Sequence, residues 1–264
     1  MSLTMGDGPF AKPLAGELNF DLTASAPGHV LYVHQLDRRI RGEFAGRTVV
    51  DTVRARMLHE TRLLPQWYLP IEDVAPGVLV ESDHRTHCPF KGDARYWHLR
   101  VGDRTVRDAG WSYPDPVAGS PDLRGLIAFY HDRLDAWFEE DERLPTHPRD
   151  PFHRVDARRS SRRVTVRVRD VPMADTTGAV ALFETGLPAR WYLPAEDVAT
   201  EHLVPSETVT ICPYKGRARY FHFRADSGRV DDVAWSFAAP FAEAGPAADM
   251  LCFDGPEVSV TVES

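Results

Sequence analysis

The chain holds three lysines, Lys12, Lys91 and Lys215, and three cysteines, Cys88, Cys212 and Cys252; every other basic side chain apart from histidine is arginine. Two residues of each kind fall in a motif written twice, Cys88-Pro89-Phe90-Lys91-Gly92 and Cys212-Pro213-Tyr214-Lys215-Gly216. Arginine offers a permanently charged planar fork, whereas lysine offers a compact ammonium on a flexible stem and an amine that can react. Cysteine adds a thiol, which attacks only as its thiolate, and a nearby ammonium favours that form. Cys88, Lys91, Cys212 and Lys215 are therefore the candidates for covalent chemistry. The milder role of Lys91 and Lys215 is a point charge for a phosphate or carboxylate.

The elements that position these residues are duplicated. Cys88 and Cys212 lie 124 residues apart, as do Lys91 and Lys215, and the offset holds along the chain. His29 maps to His153, Arg39 to Arg163, Asp51-Thr52 to Asp175-Thr176 and Glu60-Thr61 to Glu184-Thr185. Trp67-Tyr68-Leu69-Pro70 maps to Trp191-Tyr192-Leu193-Pro194, and Trp111-Ser112 to Trp235-Ser236. So many rare residues in one register mean two copies of one small domain rather than a stack of short repeats. The expected division is an N-terminal arm over residues 1–28, a first repeat over 29–140, a linker over 141–152 and a second repeat over 153–264. Two fused copies commonly stand in for a homodimer, because linkage raises effective concentration. An intramolecular pseudo-dimer, monomeric in solution, with its copies related by a pseudo-two-fold or a simple rotation, is the expected assembly.

The local pattern is that of antiparallel strands. Arg163 to Arg169 alternates apolar and polar residues, as a half-buried strand does, and Arg39 to Phe44 is its partner in the first copy. Thr86 to Cys88 and Ala94 to Val101 flank the Pro-Phe-Lys-Gly tip, which reads as a hairpin turn. Proline presets φ early in such a turn, and glycine takes the later position where φ is positive. Leu126 to Glu140 has helical propensity, yet its counterpart, Leu251 to Val262, contains Gly255-Pro256 and alternating valines. A shared fold makes both segments strands, with Leu134, Ala136 and Phe138 facing inward. Both domains are expected to be mainly β and to superpose without a change of register.

On the strand after the motif, Trp97, Leu99 and Val101 share one face, with Phe221 and Phe223 in the second copy. The opposite face carries Ala94, Tyr96, His98 and Arg100, and the same four types recur at Ala218, Tyr220, His222 and Arg224. Aromatic and polar groups converging beside a sheet are what small-molecule sites use. With Trp111 and Trp235 as pocket walls, the expected sites are Lys91, Tyr96, His98, Arg100 and Trp111, and Lys215, Tyr220, His222, Arg224 and Trp235. Each set is expected to ring one concavity with its motif cysteine. Neither copy has a Cys-x-x-Cys pair, so no zinc site is expected. Glu72-Asp73 and Glu196-Asp197 suit a turn or N-cap role better than magnesium binding, since no acidic cluster supports them. No Gly-x-x-x-x-Gly-Lys or Gly-x-Gly-x-x-Gly phosphate loop occurs.

An apolar fraction of 43% and a charged fraction of 27% are those of soluble globular domains. The net charge of −8 lacks the basic footprint of a nucleic-acid binder. No apolar run approaches the ~20 residues of a membrane span, and no secretion signal opens the chain. Three cysteines without a close pair make no disulfide framework, so a cytoplasmic location is expected.

The chain resembles a bacterial family catalogued as domain of unknown function 427. The resemblance rests on the Tyr-x-Pro-x-x-Asp-Val segment, the Thr-x-Cys-Pro-x-Lys-Gly-x-Ala-x-Tyr segment, the Ala-x-Trp-x-Tyr/Phe segment and the closing Ala/Cys-Phe. Together these span nearly all of residues 29–140 and 153–264. It implies a small β-tent-like antiparallel assembly for each copy. The family also carries a nucleotidyltransferase-like label. The Gly-Ser and paired-aspartate signature of polymerase-type nucleotidyltransferases is missing, and so is the metal-binding Cys-x-x-Cys of zinc-bearing β-tent proteins. The expected function is binding of a small anionic ligand beside each hairpin, a class that includes nucleotide-like molecules. The alternative is an enzyme that uses the motif cysteine or lysine covalently, in transferase or redox chemistry.

Overall fold

The computed structural model describes residues 28–263, and the chain divides into two units after Asp150. The expected N-terminal arm lies outside the described residues but for Gly28. In the first unit the strands are β1 (Leu31–Gln35), β2 (Ile40–Phe44), β3 (Arg47–Thr52), β4 (Arg56–Glu60), β5 (Gln66–Pro70), β6 (Leu79–Cys88), β7 (Gly92–Val101), β8 (Arg104–Ser112), β9 (Leu126–Phe129), β10 (Ala136–Glu139) and β11 (Glu142–Arg143). They form a seven-stranded sheet in the order β1-β4-β5-β9-β8-β7-β6 and a four-stranded sheet in the order β11-β10-β2-β3. Every ladder within them is antiparallel.

The second unit repeats the plan with β12 (Val155–Arg159), β13 (Val164–Val168), β14 (Val171–Thr176), β15 (Val180–Glu184), β16 (Arg190–Leu193), β17 (Leu203–Cys212), β18 (Gly216–Ala225), β19 (Gly228–Phe237), β20 (Leu251–Phe253) and β21 (Val258–Val262). Its sheets run β12-β15-β16-β20-β19-β18-β17 and β14-β13-β21. Strand starts keep the offset of 124 from β1/β12 through β8/β19. Even the irregularities are copied. Bulges at Gly42/Glu43, Glu81/Arg85 and Trp97/Leu99 recur at Val166/Arg167, Pro205/Val209 and Phe221/Phe223. Among the described residues no helix is long and apolar enough to cross a membrane.

Each large sheet buries both faces, and the period of two decides which residue goes where. On β5, Trp67 and Leu69 enter the core between the sheets, while Tyr68 enters a second cluster on the other face. On β7, Leu99 and the half-buried Trp97 and Val101 join the core between the sheets, and Ala94 and Tyr96 join the second cluster. Asp73 and Asp197 do not cap their short 3-10 turns; their carboxylates accept the hydroxyl protons of Thr52 and Thr176 and tie the turns to the small sheet.

Leu126–Glu140 is indeed not one helix, nor is it one strand: β9 and β10 lie in different sheets, separated by a single turn at His131–Arg133. The inward parity expected of Ala136 and Phe138 is corrected here. Leu134 and Trp137 are the buried residues, and Ala136 and Phe138 are half-buried. The cause is a register difference. Trp137 lies opposite Gly42 on β2, whereas Val260, the counterpart of Ala136, lies opposite Val166, the counterpart of Gly42. A one-residue slip exchanges the faces of a strand. A β-carbon on Gly42 would stand 2.8 Å from Leu134, Trp137 and Val50 side-chain atoms, so the indole occupies the space a side chain there would need.

Candidate functional site

The Cys-Pro-x-Lys-Gly motif is the tip of the β6–β7 hairpin, and its partner is the tip of β17–β18. Cys88 pairs with Gly92, and Cys212 with Gly216, closing three-residue loops. Gly92 has φ +103°, and a β-carbon there would meet the Asp115 carbonyl oxygen at 3.0 Å. The glycine is thus required both by conformation and by space.

The tip lysine does not point into solvent. Lys91 is 6% exposed, and its ammonium forms an ion pair with the buried carboxylate of Glu60 at the end of β4. The other Glu60 oxygen lies 3.0 Å from His29 Nε2. Phe90 stacks on that imidazole with ring centroids 3.8 Å apart. The second unit builds the same triplet: Lys215 on Glu184 Oε2, His153 Nε2 at 2.9 Å from Oε1, and Tyr214 against His153 at 4.1 Å. Three motif positions therefore have a task. The aromatic residue holds the histidine, the lysine reaches the glutamate, and the glycine after them turns the chain into the next strand.

Burial alone would raise the Glu184 carboxyl, but the hydrogen bond from His153 and the Lys215 ammonium outweigh it and hold it at about 2. Around the first triplet, Lys91 Nζ lies 5.6 Å from the centroid of the Tyr113 ring. Trp111 Nε1 donates to the Tyr68 hydroxyl at 3.3 Å, and Trp235 Nε1 to Tyr192 at 3.1 Å. Burial pushes the phenols of Tyr68, Tyr113 and Tyr192 above the ordinary tyrosine range, so they remain hydroxyl groups. Tyr96 shares a hydrogen bond with Thr86, and Tyr220 with Thr210, both at 3.1 Å.

Of the residues singled out in the sequence, Cys88, Tyr96 and Trp111 pack on one cluster with Tyr68 and Tyr113, and Lys91 reaches it through Tyr113. In the second unit Tyr192, Tyr220 and Trp235 gather likewise. His98 and His222 take another task. Their Nδ1 atoms accept the backbone N–H of Asp108 and Asp232, residues with positive φ beside the β7–β8 and β18–β19 bulges. Arg100 and Arg224 are exposed farther along their strands. Cys88 and Cys212 are half-buried free thiols, and Cys252 is a buried thiol that burial pushes up to about 12. Among the described residues no group of three or more His, Cys, Asp or Glu side chains is placed to hold a metal ion.

The residues that sequence reasoning did not place in the site are Glu60, Glu184, His29, His153, Tyr68 and Tyr192. All six recur at the offset of 124, and a lysine kept at a turn tip demands a counter-charge if it is buried. Comparison with curated proteins gives no match. A family model described as a domain of unknown function, DUF427, matches residues 32–140 and again 156–264. With the hairpin, its lysine–glutamate pair and the large-sheet strand order repeated across those two segments, the chain belongs to the DUF427 family as a tandem-copy member.

Proposed function

We propose that each repeat binds a small molecule through an anionic group, received beside the Cys-Pro-x-Lys-Gly hairpin by the lysine and its phenol neighbours. One observation carries this reading. A lysine ammonium has three N–H donors, and among the described residues Glu60 and Glu184 are the oxygens recorded against Lys91 and Lys215. Two donors on each ammonium, buried at Lys91 and half-buried at Lys215, are left for another acceptor. Tyr68 and Tyr192 point the same way: each hydroxyl oxygen takes an indole N–H, which leaves its own proton to donate. Donors gathered in a poorly solvated place favour an oxyanion over a neutral ligand. An ammonium engaged with a carboxylate acts as a donor, and nothing in this geometry favours a covalent role for it.

The lysine cannot be tested alone. Removing one member of a buried ion pair leaves the other uncompensated, so the test is a paired design. Lys91→Met with Glu60→Gln, combined with Lys215→Met and Glu184→Gln, removes both charges of each pair. Inorganic phosphate, acetate and a panel of acidic metabolites, followed by thermal shift, should stabilise the wild type by mass action and leave the four-fold variant unmoved. Equal shifts in both proteins would sink the reading. Lys91→Arg should keep much of the first repeat's affinity.

A further inference from the structure

In the first repeat the face that carries Lys91 continues into a ledge of aromatic rings. Tyr130 lies against the half-buried Trp111 with centroids 4.7 Å apart, and Tyr130 is 41% exposed. The Tyr130 phenol lies within electrostatic reach of Tyr96, and the exposed His84 leans on the Tyr96 ring at 4.4 Å. Tyr113 joins this ledge to the triplet, lying under the Lys91 ammonium and within electrostatic reach of Glu60, Cys88, Tyr96 and Tyr130.

The second repeat keeps the triplet and closes the ledge. Asp254 stands where the first repeat has Tyr130, Arg190 where it has Gln66, Thr208 where it has His84 and Phe237 where it has Tyr113. Arg190 pairs with Asp254 at 2.8 Å, and its guanidinium sits over Trp235, 5.7 Å from the ring centroid. The indole of Trp111 meets Tyr130 in one copy, and in the other the chain's own cation stands over Trp235.

Resting on the anion reading above, we propose that the first repeat is specific for an aromatic acid: a flat ring settles on Tyr130 and Trp111 while its acidic group reaches Lys91. The second repeat takes the acidic group without preference for a ring. Tyr130 and the Gln66 position are the specificity determinants. Aromatic pairs contribute ~0.5–1.5 kcal/mol beyond area burial, which sets a ring preference of about three- to tenfold.

The test uses the whole chain labelled with 5-fluorotryptophan, so that Trp111 and Trp235 report separately by fluorine NMR after assignment with single Trp→Phe variants. Benzoate and cyclohexanecarboxylate are the probes, since they share the carboxylate and differ in the flatness of the ring. Benzoate should shift Trp111 at three- to tenfold lower concentration than cyclohexanecarboxylate, and the two should act alike at Trp235. Gln66→Arg with Tyr130→Asp should erase the preference at Trp111. Arg190→Gln with Asp254→Tyr should create it at Trp235, and this reciprocal pair decides the matter if the first swap does not fold. Equal affinities at Trp111 in the wild type, or a preference that survives the swap, overturn the inference and leave anion binding standing. If neither acid nor acetate moves either resonance, the anion reading falls and this one falls with it.

Discussion

The two repeats have kept one set of residues and let another change. His29, Glu60, Tyr68, Lys91, Tyr96 and Trp111 recur at the offset of 124 as the same residue types, and their hydrogen bonds recur with them. The core between the sheets has been rebuilt instead. In the first repeat Gly42 pairs with the buried Trp137, whereas in the second the buried Val166 pairs with the exposed Val260. A strand tolerates new apolar partners as long as volume is filled, but a buried ion pair tolerates the loss of neither member. The difference separates what packing needs from what the polar site needs, and both answers come from one chain.

The comparison can be broken at its packing end. Trp137→Ala should destabilise the first repeat by about 3–5 kcal/mol, the usual cost of emptying a large buried aromatic site. Thr261→Ala, the same position in the second repeat, is exposed and should stay within about 0.5 kcal/mol. Denaturant unfolding, with hydrogen exchange to assign the loss to one unit, reads both. Comparable losses in the two repeats would mean that the register difference is not real.

At the polar end the copies should respond alike. Lys91→Met should cost roughly 3–5 kcal/mol and Lys215→Met, whose ammonium is half-buried, somewhat less, and adding Glu60→Gln or Glu184→Gln should recover most of the loss in the same melts. A single substitution that is harmless in one repeat would show that its triplet is a surface pair in solution.

Acid sharpens the comparison further. The Glu184 carboxyl sits at about 2 against an ordinary 4.5. Its folded value is the lower one, so its stabilisation is complete above pH 4.5 and fades as pH falls towards 2. The shift corresponds to about 3 kcal/mol of stability lost across that window. Glu184→Gln should flatten that part of the stability–pH curve, and an unchanged slope would contradict the assignment.

Much of this was legible beforehand, because duplication lets one copy read the other. The valines around Val260 ruled out a helix for Leu126–Glu140, and the hairpin followed from where Pro89 and Gly92 fall. Two things were not legible. Alternation cannot say which residue turns inward once a chain leaves one sheet and enters another, so Trp137 was missed in favour of Ala136 and Phe138. The burial of Lys91 depends on Glu60, which is 31 residues away and joined to it only by the sheet. His98 shows the reverse: its repetition is real, yet it serves the bulge at Asp108.

The slipped last strand bears on how such a chain avoids tangling with itself. Two nearly identical folds in one polypeptide invite exchange of equivalent segments while both are incomplete. β10 brings an indole that fits against a glycine. Laid on β13 it would meet Val166, where that space is already filled. β21, laid on β2, would leave the hollow over Gly42 empty and shift its own residues to the wrong side. The mismatch should therefore favour pairing of β10 with β2 and of β21 with β13 over exchange between the copies.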